Sequence, residues 1–476
     1  MKQYAERDFN SALDIPGMRI NYQIEPVRLS LNTWEDSVSD AAISGGQNVA
    51  DGKAWFGHDR FGMFIHFGLY ALGARHEWLK NREEFTTEAY QKYFDNFDPD
   101  LYDAREWARR AREAGMKYVV LTAKHHEGFC LWDSKVTDYK VTNTPYGKDL
   151  IGPYVEALRA EGLKVGFYYS LLDWHHPDFP IDGHHPQRNH PDAAKLNEGR
   201  DVKRYAKYMR DQVTELLTNF GKIDVIWFDF SYPQRVYKGL PGKGRADWES
   251  DDLMKLVRQL QPDIIVGDRL DLPRDANHMP ELVTPEQYTP RVAPTVAGLP
   301  VRWEACHTFS GSWGYYRDET SWKDAGQLIN ILVDTVSLGG NLLMNVGPTG
   351  RGTFDVRAIK ALDTYGEWLR LNGRAIYGAG PSTYKAPNGC RFTQKGNRLY
   401  LHIQTWPFRH IHIEGLGRKV KYAQFLHDAS ELHWLDPDAE VDSNVGVAVG
   451  EGILTLELPV LKPDVVTPVI ELILKD

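Results

Sequence analysis

Cysteine is scarce in this chain. Cys130, Cys306 and Cys390 are the three present in 476 residues, odd in number and far apart. No C-x-x-C occurs, so neither a disulfide framework nor a zinc knuckle is indicated. No run of eighteen apolar residues exists, which argues against a membrane-spanning helix. The first ten residues, M-K-Q-Y-A-E-R-D-F-N, lack an apolar segment of signal-peptide length, so a cytoplasmic, reducing location is the expectation. There is no internal repeat and no low-complexity tract. No G-x-G-x-x-G follows an early strand, and no Ser or Cys sits in a nucleophile elbow. Positive charge is also in deficit: the net charge is −9 and is spread along the chain. Nucleic acid and anionic membrane surfaces are therefore poor partners.

What the chain does have is aromatic and imidazole side chains: 14 Trp, 24 Tyr and 17 His. Flat apolar faces together with neutral imidazoles suit a ligand that is half apolar and half hydroxyl. The length suggests two or three domains, although an α/β barrel can occupy more than ~250 residues by itself.

One stretch organises the rest. Residues 223–230 read I-D-V-I-W-F-D-F, after a long helical pattern closed by Gly221. Such composition marks a strand buried on both faces of a parallel sheet. Side chains alternate along a strand, so Val225, Trp227 and Asp229 share a face. Strand interiors avoid Asp, and a buried unpaired charge is costly. The ordinary explanations are a helix cap or a partner Arg. The alternative is chemistry, because α/β barrels place it at the C-terminal ends of their strands.

Further strands are expected at 62–68, 117–126, 164–170, 263–269 and 341–348, with less regular stretches around 282–288 and 301–308. Amphipathic helices are expected at 100–115, 149–161, 198–220, 250–260, 322–338 and 354–371, the last with Val356, Ile359, Leu362 and Trp368 inward. Strands alternating with helices imply right-handed crossovers and a parallel sheet. Eight strands argue for a (β/α)8-type barrel over residues 53–378, with one or two helices missing between 270 and 310. Residues 1–52 read as a leader packed on that barrel. After 378 short alternating strands with Gly, Asn and Asp between them, including one at 446–449, indicate a C-terminal antiparallel β-sandwich over 379–476.

The strand ends on one rim supply His66, Glu77 and Trp78 in the first loop, His125, His126, Tyr168, Trp227 with Asp229, Arg269, Glu286, Trp303 with Glu304, and Trp313. Carboxylates flanking an aromatic pocket are the apparatus of glycoside cleavage, one attacking or supporting the anomeric carbon and the other moving a proton. A rim loop at 173–190 carries five histidines but no clear ligand spacing, so no metal is assigned to it.

Five motifs occur in order: W-F-G-H-D-R-F-G-M-F-I-H-F-G at 55–68, K-H-H-E-G-F-C-L-W-D-S at 124–134, W-F-D-F at 227–230, S-W-G-Y at 312–315 and G-G-N-L-L-M-N-V-G-P at 339–348. Together they resemble the α-L-fucosidases of glycoside hydrolase family 29. The resemblance implies an exo-acting, retaining enzyme that needs no metal or organic cofactor. It implies Asp229 as nucleophile, with His66, Glu77, Trp78, His125, His126, Tyr168, Trp227 and Arg269 binding the sugar. The family's acid/base is a Glu in a variable loop, which points to Glu286, with Glu304 as the rival. Trp313, Phe64 and Trp227 would face the methyl side of a 6-deoxy sugar, and an apolar setting would suit the acid. The partner expected is a fucosylated oligosaccharide or glycoconjugate; self-association is left open. Two other readings stand beside this one: a metal-dependent barrel hydrolase using His66, His125, His126 and Asp229, and a fucose-binding protein without catalysis.

Overall fold

The structure is a computed structural model that describes residues 53–436 and 450–475. The expected leader at 1–52 and the expected strand at 446–449 lie outside the described residues.

Seven parallel strands form the main sheet: β1 Phe61–Ile65, β2 Tyr118–Lys124, β3 Lys164–Ser170, β4 Val225–Asp229, β5 Ile265–Val266, β6 Glu304–Thr308 and β7 Asn341–Val346. Their order is β6-β7-β1-β2-β3-β4-β5. Residues 282–286 close the ring as an irregular eighth member. Parallel bridges join Leu282 to Gly267 on one side, and Val283 to Trp303 and Glu286 to Cys306 on the other.

Alternation along the strands explains the double burial. Phe64, Val120, Tyr168, Val225, Ile265, Leu282, Cys306 and Leu343, one from each member of the ring, meet in a common inner cluster with Trp227. The intervening Met63, Val119, Phe167, Ile226, Phe228, Val266 and Met344 face outward into the helix layer. Val225, Trp227 and Asp229 do share the inner face. Helix α1 (Ala54–Asp59) supplies Trp55 and Phe56, which pack on Tyr118 with ring centroids 5.7 and 5.5 Å away.

The outer layer contains α2 (Ala104–Glu113), α3 (Ile151–Ala160), α4 (Val202–Thr218), α5 (Ser250–Leu260), α6 (Ala325–Ser337) and α7 (Val356–Asn372). Four of these begin with an aspartate whose carboxylate accepts from first-turn amides: Asp103, Asp201, Asp324 and Asp355. Such caps contribute about 1 kcal/mol each. Residues 271–303 contain no helix, as the uneven pattern there foretold. One expectation fails: Val356, the first residue of α7, is 78% exposed, because the inward stripe begins two residues later at Ala358 and runs on through Leu362.

Beyond the barrel, β8 (Cys390–Lys395), β9 (Arg398–Ile403), β10 (His410–Glu414), β11 (Val420–Phe425), β12 (Trp434–Leu435), β13 (Ile453–Glu457) and β14 (Val469–Leu474) form two antiparallel sheets, ordered β8-β9-β14-β11 and β10-β13-β12. Their facing apolar side chains make a separate core. Bonds from Trp368 Nε1 to the Val466 carbonyl (2.8 Å) and from Thr393 Oγ1 to the Ala375 carbonyl (2.7 Å) fasten this sandwich to α7 and the turn after it.

Candidate active site

The C-terminal rim of the barrel carries a cup. Its lining includes Phe64, His66, Glu77, Trp78, His125, His126, Tyr168, Trp227, Asp229, Phe230, Arg269, Glu286, Cys306 and Trp313. Every site residue named from the sequence is there except Glu304 and its neighbour Trp303, which is buried just before that strand begins, away from the rim.

Asp229 ends β4, where the interior face of the strand meets the rim. Its Oδ2 accepts from Tyr168 Oη at 2.7 Å, and its Oδ1 accepts from Arg269 Nη1 at 2.7 Å. His126 Nε2 lies 4.0 Å from Oδ2. Burial alone would raise the pKa of this carboxyl, but Arg269, then His126, then the two hydrogen bonds outweigh it and hold the group below the usual range. Asp229 is therefore an ionised, desolvated carboxylate aimed into the cup.

The same Arg269 Nη1 donates to Glu286 Oε2, also at 2.7 Å. The two carboxylate oxygens are thus separated by no more than twice that distance. An inverting pair stands ~6.5–9.5 Å apart and a retaining pair about 5–5.5 Å. Arg269 is itself braced: Nε donates to Thr284 Oγ1 (3.2 Å), Nη2 to the Thr284 carbonyl (3.2 Å), and the guanidinium lies 4.5 Å from the centroid of Trp227. Glu286 ends the irregular strand, and its side chain is 41% exposed. The setting is thus polar, with solvent and Arg269 around it. This corrects the apolar environment expected for the acid.

Glu304 is elsewhere. It opens β6, at the opposite end of that strand from the rim, fully buried beneath Trp227. Trp227 Nε1 donates to its Oε1 at 3.2 Å, and Tyr118 Oη donates to its Oε2.

Glu77 is a loop clamp as well as a lining residue. Its Oε2 accepts from Ser312 Oγ (3.2 Å) and from the amides of Trp313 (3.1 Å) and Gly314 (2.9 Å). Burial would raise its pKa, but His76, then the Gly314 amide and His66, lower it on balance. The Trp313 ring packs on His66 and Phe64, with centroids 5.1 and 5.9 Å away, and Phe64 lies 5.4 Å from Trp227. The apolar patch expected from the sequence therefore forms.

The three histidines are buried and stay neutral. Desolvation lowers His66 and His126 to about 4 and His125 well below its ordinary value. His125 and His126 both lie beyond β2, in the turn that follows it, with ring centroids 4.1 Å apart. That is how adjacent residues reach one cup despite strand alternation.

Sequence reasoning did not single out Phe230, Cys306, Ser170 or Asn345. The signal for Ser170 and Asn345 was the one used for Asp229: a polar residue in an otherwise apolar buried strand. Among the described residues no group of three His, Cys, Asp or Glu side chains is arranged to hold a metal ion.

A closed parallel barrel with two carboxylates converging on one arginine, above an aromatic floor, defines a glycoside hydrolase of the retaining class. Comparison with known proteins narrows the class. The family model for α-L-fucosidase matches residues 40–374. The tissue α-L-fucosidase of Mus musculus is 30% identical over 381 residues, covering 74% of this chain and 78% of that protein. The structure of α-L-fucosidase isoenzyme 1 from Paenibacillus thiaminolyticus superposes with a TM-score of 0.81 at 43% identity, covering 89% of this chain and 99% of that one. A family 29 α-L-fucosidase from Bacteroides thetaiotaomicron, trapped as a covalent intermediate with 2-fluoro-fucosyl fluoride in a glutamate-to-glutamine variant, superposes at 0.75 and 26% identity, covering 90% and 97%. The chain belongs to the α-L-fucosidase family, glycoside hydrolase family 29.

Proposed function

We propose that this protein is an exo-acting, retaining α-L-fucosidase in which Asp229 is the nucleophile and Glu286 the acid/base. The observation that carries the assignment is the single Arg269 nitrogen shared by both carboxylates at 2.7 Å. It supports a spacing suited to double displacement and too short to seat a water between the pair.

Asp229 attacks C1 of the fucosyl unit, and the C1–O bond to the leaving group breaks. The departing oxygen takes the proton of Glu286. In the second half Glu286 takes a proton from water, the water oxygen bonds to C1, and the ester to Asp229 breaks. Free fucose leaves with its anomeric configuration kept. The nucleophile lies on the buried floor and Glu286 at the exposed mouth, which fits a terminal sugar entering first with its leaving group outermost. Tyr168 and Arg269 support Asp229 as a leaving carboxylate in the second half. Trp313, Phe64 and Trp227 offer an apolar face to the 6-methyl group, and the imidazoles serve the hydroxyls.

The direct test is inactivation with a 2-fluoro fucosyl fluoride followed by peptide mapping. The adduct is expected on Asp229, and Asp229→Ala should neither label nor turn over. A label on another residue, or product of inverted configuration, overturns the reading.

A further inference from the structure

His66 and His126 each turn Nδ1 away from the cup and onto a buried side-chain oxygen. His126 Nδ1 lies 2.7 Å from Ser170 Oγ, and that hydroxyl donates its hydrogen to the Leu172 carbonyl at 2.8 Å. A carbonyl cannot donate, so the Ser170 proton is committed. The oxygen can only accept from the imidazole. His66 Nδ1 lies 2.6 Å from Asn345 Oδ1, while Asn345 Nδ2 donates to the Trp313 carbonyl at 2.6 Å. Turning the amide over would press its oxygen against that carbonyl. Its oxygen therefore faces His66 and also accepts. Ser170 and Asn345 are themselves buried, at 0% and 2% exposure, so water does not compete for these bonds.

We infer that Ser170 and Asn345 are positioning residues that fix His126 and His66 as Nδ1–H tautomers, leaving two Nε2 lone pairs turned to the sugar. No hydrogen bond reaches either Nε2 from the described residues; that of His126 stands 4.0 Å from Asp229 Oδ2, beyond hydrogen-bond range, and both rings line the cup. His125 is the contrast. Its Nδ1 is buried and without a partner. A bare buried N–H is rarer than a bare buried lone pair, so its proton belongs on Nε2. The cup thus presents two acceptors and one donor from three adjacent imidazoles, a pattern set by groups that never touch the substrate. The inference rests on the fucosidase reading for its consequence in binding, but the tautomers are a property of the free protein.

The test therefore has two readouts. In histidine-15N-labelled protein, long-range nitrogen–proton spectra, with signals assigned by His66→Gln, His125→Gln and His126→Gln, are expected to show His66 and His126 protonated at Nδ1 and His125 at Nε2. Ser170→Ala should convert His126 to a tautomer mixture and raise KM for a nitrophenyl fucoside by about three- to tenfold, the loss of one hydrogen bond, with a smaller change in kcat. Ser170→Thr restores the hydroxyl and should reverse both effects. Asn345→Asp keeps an acceptor for His66 while deleting the donor to Trp313, so His66 should stay protonated at Nδ1 although KM rises. His126 or His66 found protonated at Nε2 in the unsubstituted protein, or a Ser170→Ala variant with unchanged spectra and KM, overturns the inference while leaving the fucosidase reading intact. Absence of hydrolysis by the unsubstituted protein would instead count against that reading alone.

Discussion

Arg269 donates through Nη1 to Oδ1 of Asp229 at 2.7 Å, inside a pocket where the carboxylate is otherwise desolvated. Burial pushes Asp229 toward its neutral form, and Arg269 is the largest influence opposing it. A folded-state pKa below the unfolded value means that the contribution of Asp229 to stability is present above the unfolded pKa. It is lost as pH falls through the folded one. The same depression keeps the nucleophile ionised across the working range. Arg269→Gln should therefore move the acid limb of kcat/KM to higher pH and lower its plateau by roughly 10²–10³, as expected for a lost charge-stabilising donor. A pH–rate profile checks both. An acid limb that stays in place would show that Arg269 does not set the ionisation of Asp229.

Glu304 behaves in the opposite sense. Burial raises it to about 7, although Tyr118 and Trp227 both donate to it. The native state then holds a proton that the unfolded chain has released, so stability falls as pH rises from about 4.5 to about 7 and levels above that. The slope integrates to at most on the order of 3 kcal/mol. Glu127, also raised to about 7, acts with the same sign, so the contribution of Glu304 is the difference between the parent and Glu304→Gln. Urea unfolding at several pH values should show a shallower slope in the variant. Glu304→Gln is also expected to retain most turnover. Glu286→Ala should lose far more activity on poor leaving groups than on nitrophenol, and azide should partly rescue it. The reverse pattern would exchange the two roles.

Much of this was legible in the sequence, for a definite reason. Doubly buried strands are nearly pure apolar runs, so a polar residue in one, such as Asp229, stands out. The same logic could have flagged Ser170 and Asn345. Other features depend on distances between chain segments that no local pattern encodes. Residues 282–286 pair too irregularly to read as a strand, yet they close the ring and carry Glu286 to the rim. The polar setting of Glu286 follows from Arg269, seventeen positions earlier. The double service of Glu77 depends on amides 236 and 237 residues away.

The Trp313 loop gives a third prediction. Gly347, just past β7, lies against the backbone of this loop. A Cβ placed on it would sit 2.6 Å from Gly314 C and from Tyr315 N. Backbone cannot rotate aside as a side chain can, so Gly347→Ala must displace the loop that Glu77 and Asn345 hold. The Trp313 ring would leave its contact with His66 and Phe64. KM for nitrophenyl fucoside should rise by about tenfold or more, with thermal stability changed less, since the loop lies at the rim. Parent-like KM in Gly347→Ala would mean that the position of this platform is unimportant for binding.

Phe230 supplies the last. It follows Asp229 directly with φ of +86°, a conformation disfavoured for a bulky side chain. The turn ends β4 at Asp229, so the carboxylate stands at the rim. The ring packs against Trp78, His126 and His184, with centroids 5.3, 5.2 and 4.8 Å away. Two effects can be separated by paired substitutions. Phe230→Ala loses the ring and keeps the backbone penalty, whereas Phe230→Gly loses the ring and relieves that penalty. If the positive φ is enforced by the fold, the glycine variant should be the more stable of the two by about 1 kcal/mol, the reverse of the usual order in a strand or helix. Both should raise KM by similar factors, because both remove the same wall of the cup. Urea titrations of the pair decide the matter: an alanine variant as stable as the glycine one would mean that the chain relaxes out of the left-handed region once the ring is gone, and that packing of Phe230, rather than the fold around it, holds Asp229 at the rim.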